Sequence, residues 1–374
     1  MNRNASLKEL ARLFLKLGLI GFGGPAVHIA MMEEEVVRRR QWMTHQHFLD
    51  LIGATNLIPG PNSTEITMHI GYERAGRAGL VVAGLCFIVP AVIITAVLAW
   101  AYSRYGQFPQ LQPFIYGIKP AVISVIVATM LHLGKKALKS FQLGIIGVAA
   151  AVAVLAGMHE IVVLFAAGFI GMALHFIKQQ PSAVKSFFPF FFLQVTYTGI
   201  DLSGWKLFLI FLKIGAILYG SGYVLFAFLD AELVARGLLS KQQLIDAIAV
   251  GQITPGPVFS AATFVGWQLG GASGAIAATA GIFLPSFLFV AFLNPLLPRL
   301  RQSTIMSAFL DTVNIASIAI ILSVVVEMSR ETLLDWRTIV IALAGFAITY
   351  WRTKLNAAFV IAGGALAGYL LSLV

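Results

Sequence analysis

Long apolar runs set the pattern of this chain. They lie at about residues 76–103, 111–134, 141–157 and 160–177, and again at about 272–298, 303–328, 338–350 and 355–374. A helix needs ~20 apolar residues to cross the hydrocarbon core of a bilayer, so these runs predict membrane-spanning helices, the shorter ones recruiting flanking residues. Pro90 and Pro285 sit inside two of them and are expected to kink the helix, because proline lacks the N–H that bonds one turn back. Four other segments are shorter, and each ends at a Gly/Pro break. Residues 7–22 end at Gly23-Gly24-Pro25 and 44–58 at Pro59-Gly60-Pro61; 205–219 end at Gly220-Ser221-Gly222 and 240–254 at Pro255-Gly256-Pro257. Each is about 15 residues, or roughly 22 Å of helix, which is short for a full crossing.

The two sets match one another. Phe14-Leu15-Lys16-Leu17-Gly18 corresponds to Phe211-Leu212-Lys213-Ile214-Gly215, and Phe22-Gly23 to Tyr219-Gly220. Glu33 and Glu35 fall on Asp230 and Glu232, Asp50 on Asp246, and Asn56 on Gln252. The Pro-Gly-Pro triplets coincide, and Gly76, Gly79 and Pro90 fall on Gly271, Gly274 and Pro285, all at an offset between 195 and 197 residues. The pattern is that of a tandem duplication. Gly/Pro-interrupted segments at matching positions of two halves point to a transporter site.

Composition narrows the class. Of 374 residues, 59% are hydrophobic and 11% charged, with 35 glycines and a mean hydropathy of +0.87. Soluble domains are about 25% charged, so the expectation is an all-α polytopic membrane protein. The single cysteine, Cys86, excludes a disulfide framework. A net charge of +10 reads as loop charge rather than nucleic-acid binding, since no basic run is interleaved with aromatics. In the first half Arg74, Arg77, Lys135, Lys136, Lys139, Lys178 and Lys185 mark one side. In the second half the positive positions swap ends: the 268–275 loop has no charge, whereas Arg299 and Arg301 follow the next run. Lysine and arginine mark the cytoplasmic side, so the second repeat is expected to be inverted. An odd crossing must then join residues 1–180 to residues 204–374, and 181–203 is the candidate. The breaks are read as re-entrant helices, giving about 9 full crossings, or about 13 if the broken segments also cross.

The breaks carry the candidate chemistry. A helix N-terminus has unpaired N–H groups and a partial positive charge, which favour an anion. Pro25, Pro61 and Pro257 are each expected at a first helical position. The candidate ligands of a small oxyanion are the break residues Gly23, Gly24, Gly60, Gly220, Ser221, Gly222 and Gly256. Beside them stand the polar residues His28, Asn56, Asn62, Ser63, Thr64, Gln252, Thr254 and Ser260. Lys16 and Lys213, one repeat apart in apolar helices, are expected to add positive charge, since an intramembrane lysine is costly. Glu65 caps the helix after Pro61, or takes up a proton when an anion binds. Its counterpart is Ala261, which makes any such role one-sided. Glu33, Glu35, Asp230 and Glu232 form solvated helix ends or a salt-bridge gate. Gly364 and Gly368 have the spacing of a helix-packing pair, within the chain or in a homodimer. No catalytic constellation, metal-ligand spacing or cofactor motif is present, which leaves an intramembrane lipid-modifying enzyme as a distant alternative.

Several motifs are specific. Phe14-Leu15-Lys16-Leu17-Gly18 through Phe22-Gly23-Gly24-Pro25-Ala26-Val27-His28 resembles the first motif of the chromate ion transporter family. Ala54-Thr55-Asn56-Leu57-Ile58-Pro59-Gly60-Pro61-Asn62-Ser63-Thr64-Glu65 resembles the second. Tyr219-Gly220-Ser221-Gly222-Tyr223-Val224 and Gly251-Gln252-Ile253-Thr254-Pro255-Gly256-Pro257-Val258-Phe259 repeat them. The resemblance implies chromate export from the cytoplasm across a bacterial plasma (inner) membrane, with sulfate as a competing analogue or as the alternative substrate, and no cofactor.

Overall fold

A computed structural model of the chain describes residues 3–106, 108–178, 204–219, 222–293, 304–352 and 355–373. The expected extra crossing at 181–203, and the break residues Gly220 and Ser221, lie outside the described residues. Among those described, all regular structure is helical. The first half holds α1 (Arg3–Ile20), α2 (Pro25–Glu33), α3 (His45–Thr55), α4 (Asn62–Tyr105), α5 (Gln112–Ala137), α6 (Phe141–Leu155) and α7 (Glu160–Lys178). The second holds α8 (Gly204–Ile217), α9 (Val224–Leu229), α10 (Lys241–Ile253), α11 (Ala261–Leu293), α12 (Thr304–Thr332), α13 (Trp336–Trp351) and α14 (Ala357–Ser372). Among the described residues, five helical stretches are long and apolar enough to cross a membrane: Asn62–Tyr105, Gln112–Ala137, Glu160–Ile177, Val258–Phe292 and Thr304–Thr332. Their outward faces carry large apolar side chains such as Ile93, Val97, Ile276 and Phe292, as a lipid-facing surface requires.

The helices have local causes. Ser240 and Gln243 form a capping box at the start of α10, and Asp335 and Thr338 do so for α13, each satisfying N–H groups that lack an intrahelical partner. Pro25 opens α2 in the first helical position, as expected. Pro61 and Pro257 stand one residue earlier, in extended conformation, as the caps of α4 and of the short turn Val258–Ser260. They introduce the helix rather than begin it.

The long helices bend elsewhere than the sequence suggested. The helical dihedrals run on through Pro90 and Pro285, and the breaks fall at Ala75–Gly76 and Gly270–Gly271. Gly76 (φ 64°, ψ −151°) and Gly271 (φ 61°, ψ −148°) adopt almost the same conformation, one that an L side chain opposes. The turn is a reversal. Gly71 and Gly79 touch through their backbones, as do Gly266 and Gly274, whereas eight residues of straight helix span about 12 Å. The first limb of α4 therefore folds back on the second.

The halves interlock. α5 packs against α13 and α14 of the other half, while α12 packs against α6 and α7, and α4 and α11 pack together at the centre. Gly117 of α5 lies directly on Gly364 and Gly368 of α14. That small-residue pair therefore packs helices within the chain and is not free to dimerise.

The charged ends show how the halves are oriented. Glu9 of α1 pairs with Arg40 (3.0 Å) and Arg74 (3.4 Å), and His47 with Glu73 (2.6 Å). The start of α1, the end of the α2 segment and the end of α4's first limb thus meet at one place. The second limb of α4 then runs about 38 Å from 77 to Tyr102. There the Tyr102 hydroxyl donates to Asp246 (2.6 Å) and Lys119 to Gln242 (2.5 Å), both acceptors on α10. The polar ends of the two halves lie at opposite ends of this limb.

Candidate functional site

Breaks from both halves come together where the halves meet. Gly23 (φ 104°), Gly24 (φ 82°), Gly60 (φ 139°) and Gly256 (φ 89°) all hold the conformation that favours glycine, which explains their place in the motifs. Each Pro-Gly-Pro loop reaches across to the first helix of the other half. The Gly60 N–H donates to the Leu218 carbonyl (2.8 Å), and the Gly256 N–H to the Gly21 carbonyl (2.7 Å). Leu218 and Gly21 are one repeat apart, so the two bonds are mates. Each satisfies an orphan carbonyl at the end of a broken helix.

Side chains brace this crossing. His28 is buried, with Nε2 donating to the Gly21 carbonyl (2.8 Å) and Nδ1 3.3 Å from Ser63 Oγ. It ties the first break to the second. Asn62 donates to the Asn56 side chain (2.7 Å) across the first Pro-Gly-Pro loop. In the other half, the Tyr223 hydroxyl donates to Gln252 Oε1 (3.4 Å), and Thr254 donates to the Val250 carbonyl (2.6 Å). Gly222 is half-buried at the start of α9.

Around the crossing stands a set of buried polar atoms without hydrogen-bond partners: Thr64 Oγ1, both oxygens of Glu65, Gln252 Nε2, Ser260 Oγ and Ser286 Oγ. Most buried polar groups are paired, so such a cluster marks a place where a ligand or water completes the bonding. Glu65 is wholly buried in the first turn of α4. Its carboxyl and the Ser286 hydroxyl both lie against Gly60, so tightly that a Cβ there would overlap them. Tyr219, at the end of α8, is within electrostatic reach of Glu65.

Each lysine is held by a carboxylate of its own half. Lys16 binds Glu35 (2.9 Å) and Lys213 binds Glu232 (2.6 Å), each pair 19 residues apart in sequence. The ammonium charge expected at the breaks is instead neutralised by a carboxylate in each half. Those carboxylates sit in π-helical turns, Glu34–Arg39 and Asp230–Val234, that continue α2 and α9. Glu35 also meets Arg40 (3.4 Å) and Arg39 (3.5 Å), and the Lys16 hydrogen bond holds its carboxyl below the usual glutamate range. Glu33 contacts His45 (3.2 Å), Glu232 contacts Arg236 (2.9 Å), and Asp230 bonds Lys241 (2.7 Å), which reaches Glu327 (2.8 Å). All four gate candidates are thus in ion-pair networks.

Ser286, Tyr219, Lys119 and Tyr102 were not singled out by the sequence reading. Ser286 had a readable signal. Its mate at the 195-residue offset is Ala91, just as Glu65 faces Ala261, so both members of one pair are polar and both members of the other are not.

A duplicated, interlocked helical protein with broken helices meeting around buried polar groups is, by class, a membrane transporter. A family model described as "Chromate transporter" matches residues 8–172 and, a second time, residues 205–369. The chain is 32% identical over 378 residues to a probable chromate transport protein of Synechococcus elongatus, covering 97% of this chain and 95% of that one. It is 30% identical over 374 residues to a chromate transport protein of Cupriavidus metallidurans, with 97% and 92% covered. It is also 30% identical over 394 residues to one of Pseudomonas aeruginosa, with 98% and 92% covered. The chain belongs to the chromate transporter family, and is a multi-pass membrane transporter rather than an enzyme. No solved structure matches it.

Proposed function

We propose that this protein exports chromate from the cytoplasm across the plasma membrane, using the membrane potential. The observation that carries the reading is the reciprocal crossing of the two Pro-Gly-Pro loops, with the unpartnered hydroxyls of Thr64, Ser260 and Ser286 and the Gln252 amide nitrogen around it. Short helices that return to the edge they entered from bring four helix ends together inside the protein. Irregular backbone is tolerated at membrane depth only where it lines a cavity or is buried in protein. Hydroxyls, the Gln252 amide and helix N-terminal N–H groups are donors suited to a tetrahedral oxyanion.

The energetics favour export. A dianion leaving an inside-negative cell gains ~4.6 kcal/mol per 100 mV, twice the value for a single charge. Glu65 is the one carboxyl within the crossing, and its charge opposes an anion. Protonation on substrate binding removes that repulsion and couples proton to anion, and the net single charge then carried out gains ~2.3 kcal/mol per 100 mV. The networks of Glu33, Glu35, Asp230 and Glu232, with Lys16 and Lys213, act as gates at the two polar edges.

Reconstitution into liposomes with an imposed potential and pH gradient tests the reading. Chromate should leave the negative compartment, sulfate should compete, and phosphate and molybdate should reveal the limits of selectivity. Absence of potential-dependent chromate movement overturns it. Sulfate moving faster than chromate reassigns the substrate.

A further inference from the structure

The two loops cross in the same way, but they do not meet the same chemistry. Gly60 lies against Glu65 and Ser286; its mate Gly256 lies against Ala91, whose Cβ is 2.8 Å from the position a Gly256 Cβ would take. The residue matching Glu65 is Ala261, fully buried. One crossing therefore holds a carboxyl and a hydroxyl supplied by opposite halves, and the other meets the Ala91 methyl, with Ala261 packed against Gly251. Nothing in the fold demands the polar pair, because the same backbone forms without it.

Neither Glu65 oxygen, nor Ser286 Oγ, has a hydrogen bond of normal geometry, and all three are buried. The neighbours facing the pair are Tyr219, just past the end of α8, and Gly60 from the loop; Thr64 and His69 are buried polar residues of Glu65's own helix. No lysine or arginine pairs with Glu65 among the described residues. A serine hydroxyl can donate to a carboxylate and accept from a carboxylic acid. Ser286 is therefore a partner for both protonation states, which alanine cannot be and a lysine would not be.

We propose that the transporter has a single proton site, formed across the two halves by Glu65 and Ser286, and that the mirror position at Ala261 and Ala91 is silent. Glu65 carries the proton and Ser286 is its positioning residue. This rests on the reading of Glu65 as the coupling carboxyl and goes further, fixing one proton per chain and naming the residue that sets where it titrates. The proton passes between water and a Glu65 oxygen, and no bond other than O–H forms or breaks.

The test is the pH profile of chromate flux in proteoliposomes at fixed potential. The native protein should follow a one-proton curve. Ser286→Ala removes the donor to the ionised carboxylate, so its midpoint should move up by about one pH unit, the size of one hydrogen bond to a charged group. Ser286→Thr keeps the hydroxyl and should restore the native midpoint. Flux on the plateau reports that each variant is folded. A profile unchanged in Ser286→Ala but lost in Glu65→Gln overturns the role of Ser286 and leaves the coupling role of Glu65 standing. A pH dependence surviving in Glu65→Gln overturns both. A two-proton slope in the native protein overturns the silent mirror site.

Discussion

Lys213 decides between two accounts of the paired lysines. Glu232 is 1% exposed and has Lys213 at 2.6 Å, Arg236 at 2.9 Å and His159 at 3.7 Å. Breaking a buried ion pair outright costs ~3–5 kcal/mol, because a charge is left without its partner. In Lys213→Met, Arg236 still holds the carboxylate, so a smaller loss of about 2 kcal/mol is expected. That corresponds to a fall of a few degrees in the thermal midpoint. Glu232→Gln should cost a similar amount. The double variant should recover most of it, since the two losses are one interaction counted twice. The assay is thermal unfolding of all four proteins in one lipid–detergent mixture, followed by chromate transport. If Lys213 belongs to the ion pair, the concentration dependence for chromate changes little in the double variant. If Lys213 binds chromate, the double variant loses about tenfold or more in apparent affinity, the equivalent of ~1.4 kcal/mol. That result, with unaltered stability in Lys213→Met, refutes the ion-pair account.

Three further outcomes follow from named contacts. Gly60→Ala places a Cβ on Glu65 and Ser286 at φ 139°; strain of ~1–3 kcal/mol and a loss of flux beyond tenfold are expected, and near-native flux refutes the tight crossing. Gly117→Leu forces α5 from Gly364 and Gly368 and should lower stability by ~1–3 kcal/mol or prevent folding, read from the yield and midpoint of purified protein. At the surface, the Tyr116 hydroxyl beside Asp335 holds that carboxyl below the usual aspartate range. Its contribution is complete above pH ~3.9, the ordinary value, and is lost as pH falls through the lower folded-state value. Tyr116→Phe should therefore show a stability deficit at neutral pH that closes below about pH 4. A deficit constant down to pH 3 refutes the bond.

What the sequence revealed was what backbone chemistry demands. Gly23-Gly24-Pro25 and the two Pro-Gly-Pro triplets announce their breaks, because few other residues adopt those dihedrals. The reversals at Gly76 and Gly271 were harder to see. A lone glycine in an apolar run also fits a straight helix, and the decisive contacts, Gly71 on Gly79 and Gly266 on Gly274, are tertiary. Pro90 and Pro285 drew attention that belonged fifteen residues earlier. The partners of Lys16 and Lys213 were on view as Glu35 and Glu232, each 19 residues on. Pairing them, however, requires knowing that α2 and α9 turn back beside α1 and α8. The exchange of helices between halves leaves no local trace, since α5 is as apolar whichever neighbours it meets.

The duplication explains why geometry and chemistry were unequally legible. Features set by the main chain occur twice, nearly unchanged: φ differs by 3° between Gly76 and Gly271, and the crossing bonds differ by 0.1 Å (2.8 Å and 2.7 Å). They recur because both copies take part in the contacts that interlock the halves. Features set by side chains are free to diverge once the backbone is secured. Asn56 has become Gln252, Ser63 faces Phe259, and Glu65 with Ser286 faces Ala261 with Ala91. The two-fold backbone frame thus carries a buried carboxyl and hydroxyl at only one of its two crossings. Function in such a protein is best sought where the halves agree in backbone and disagree in side chain, and Glu65–Ser286 is the clearest such place among the described residues.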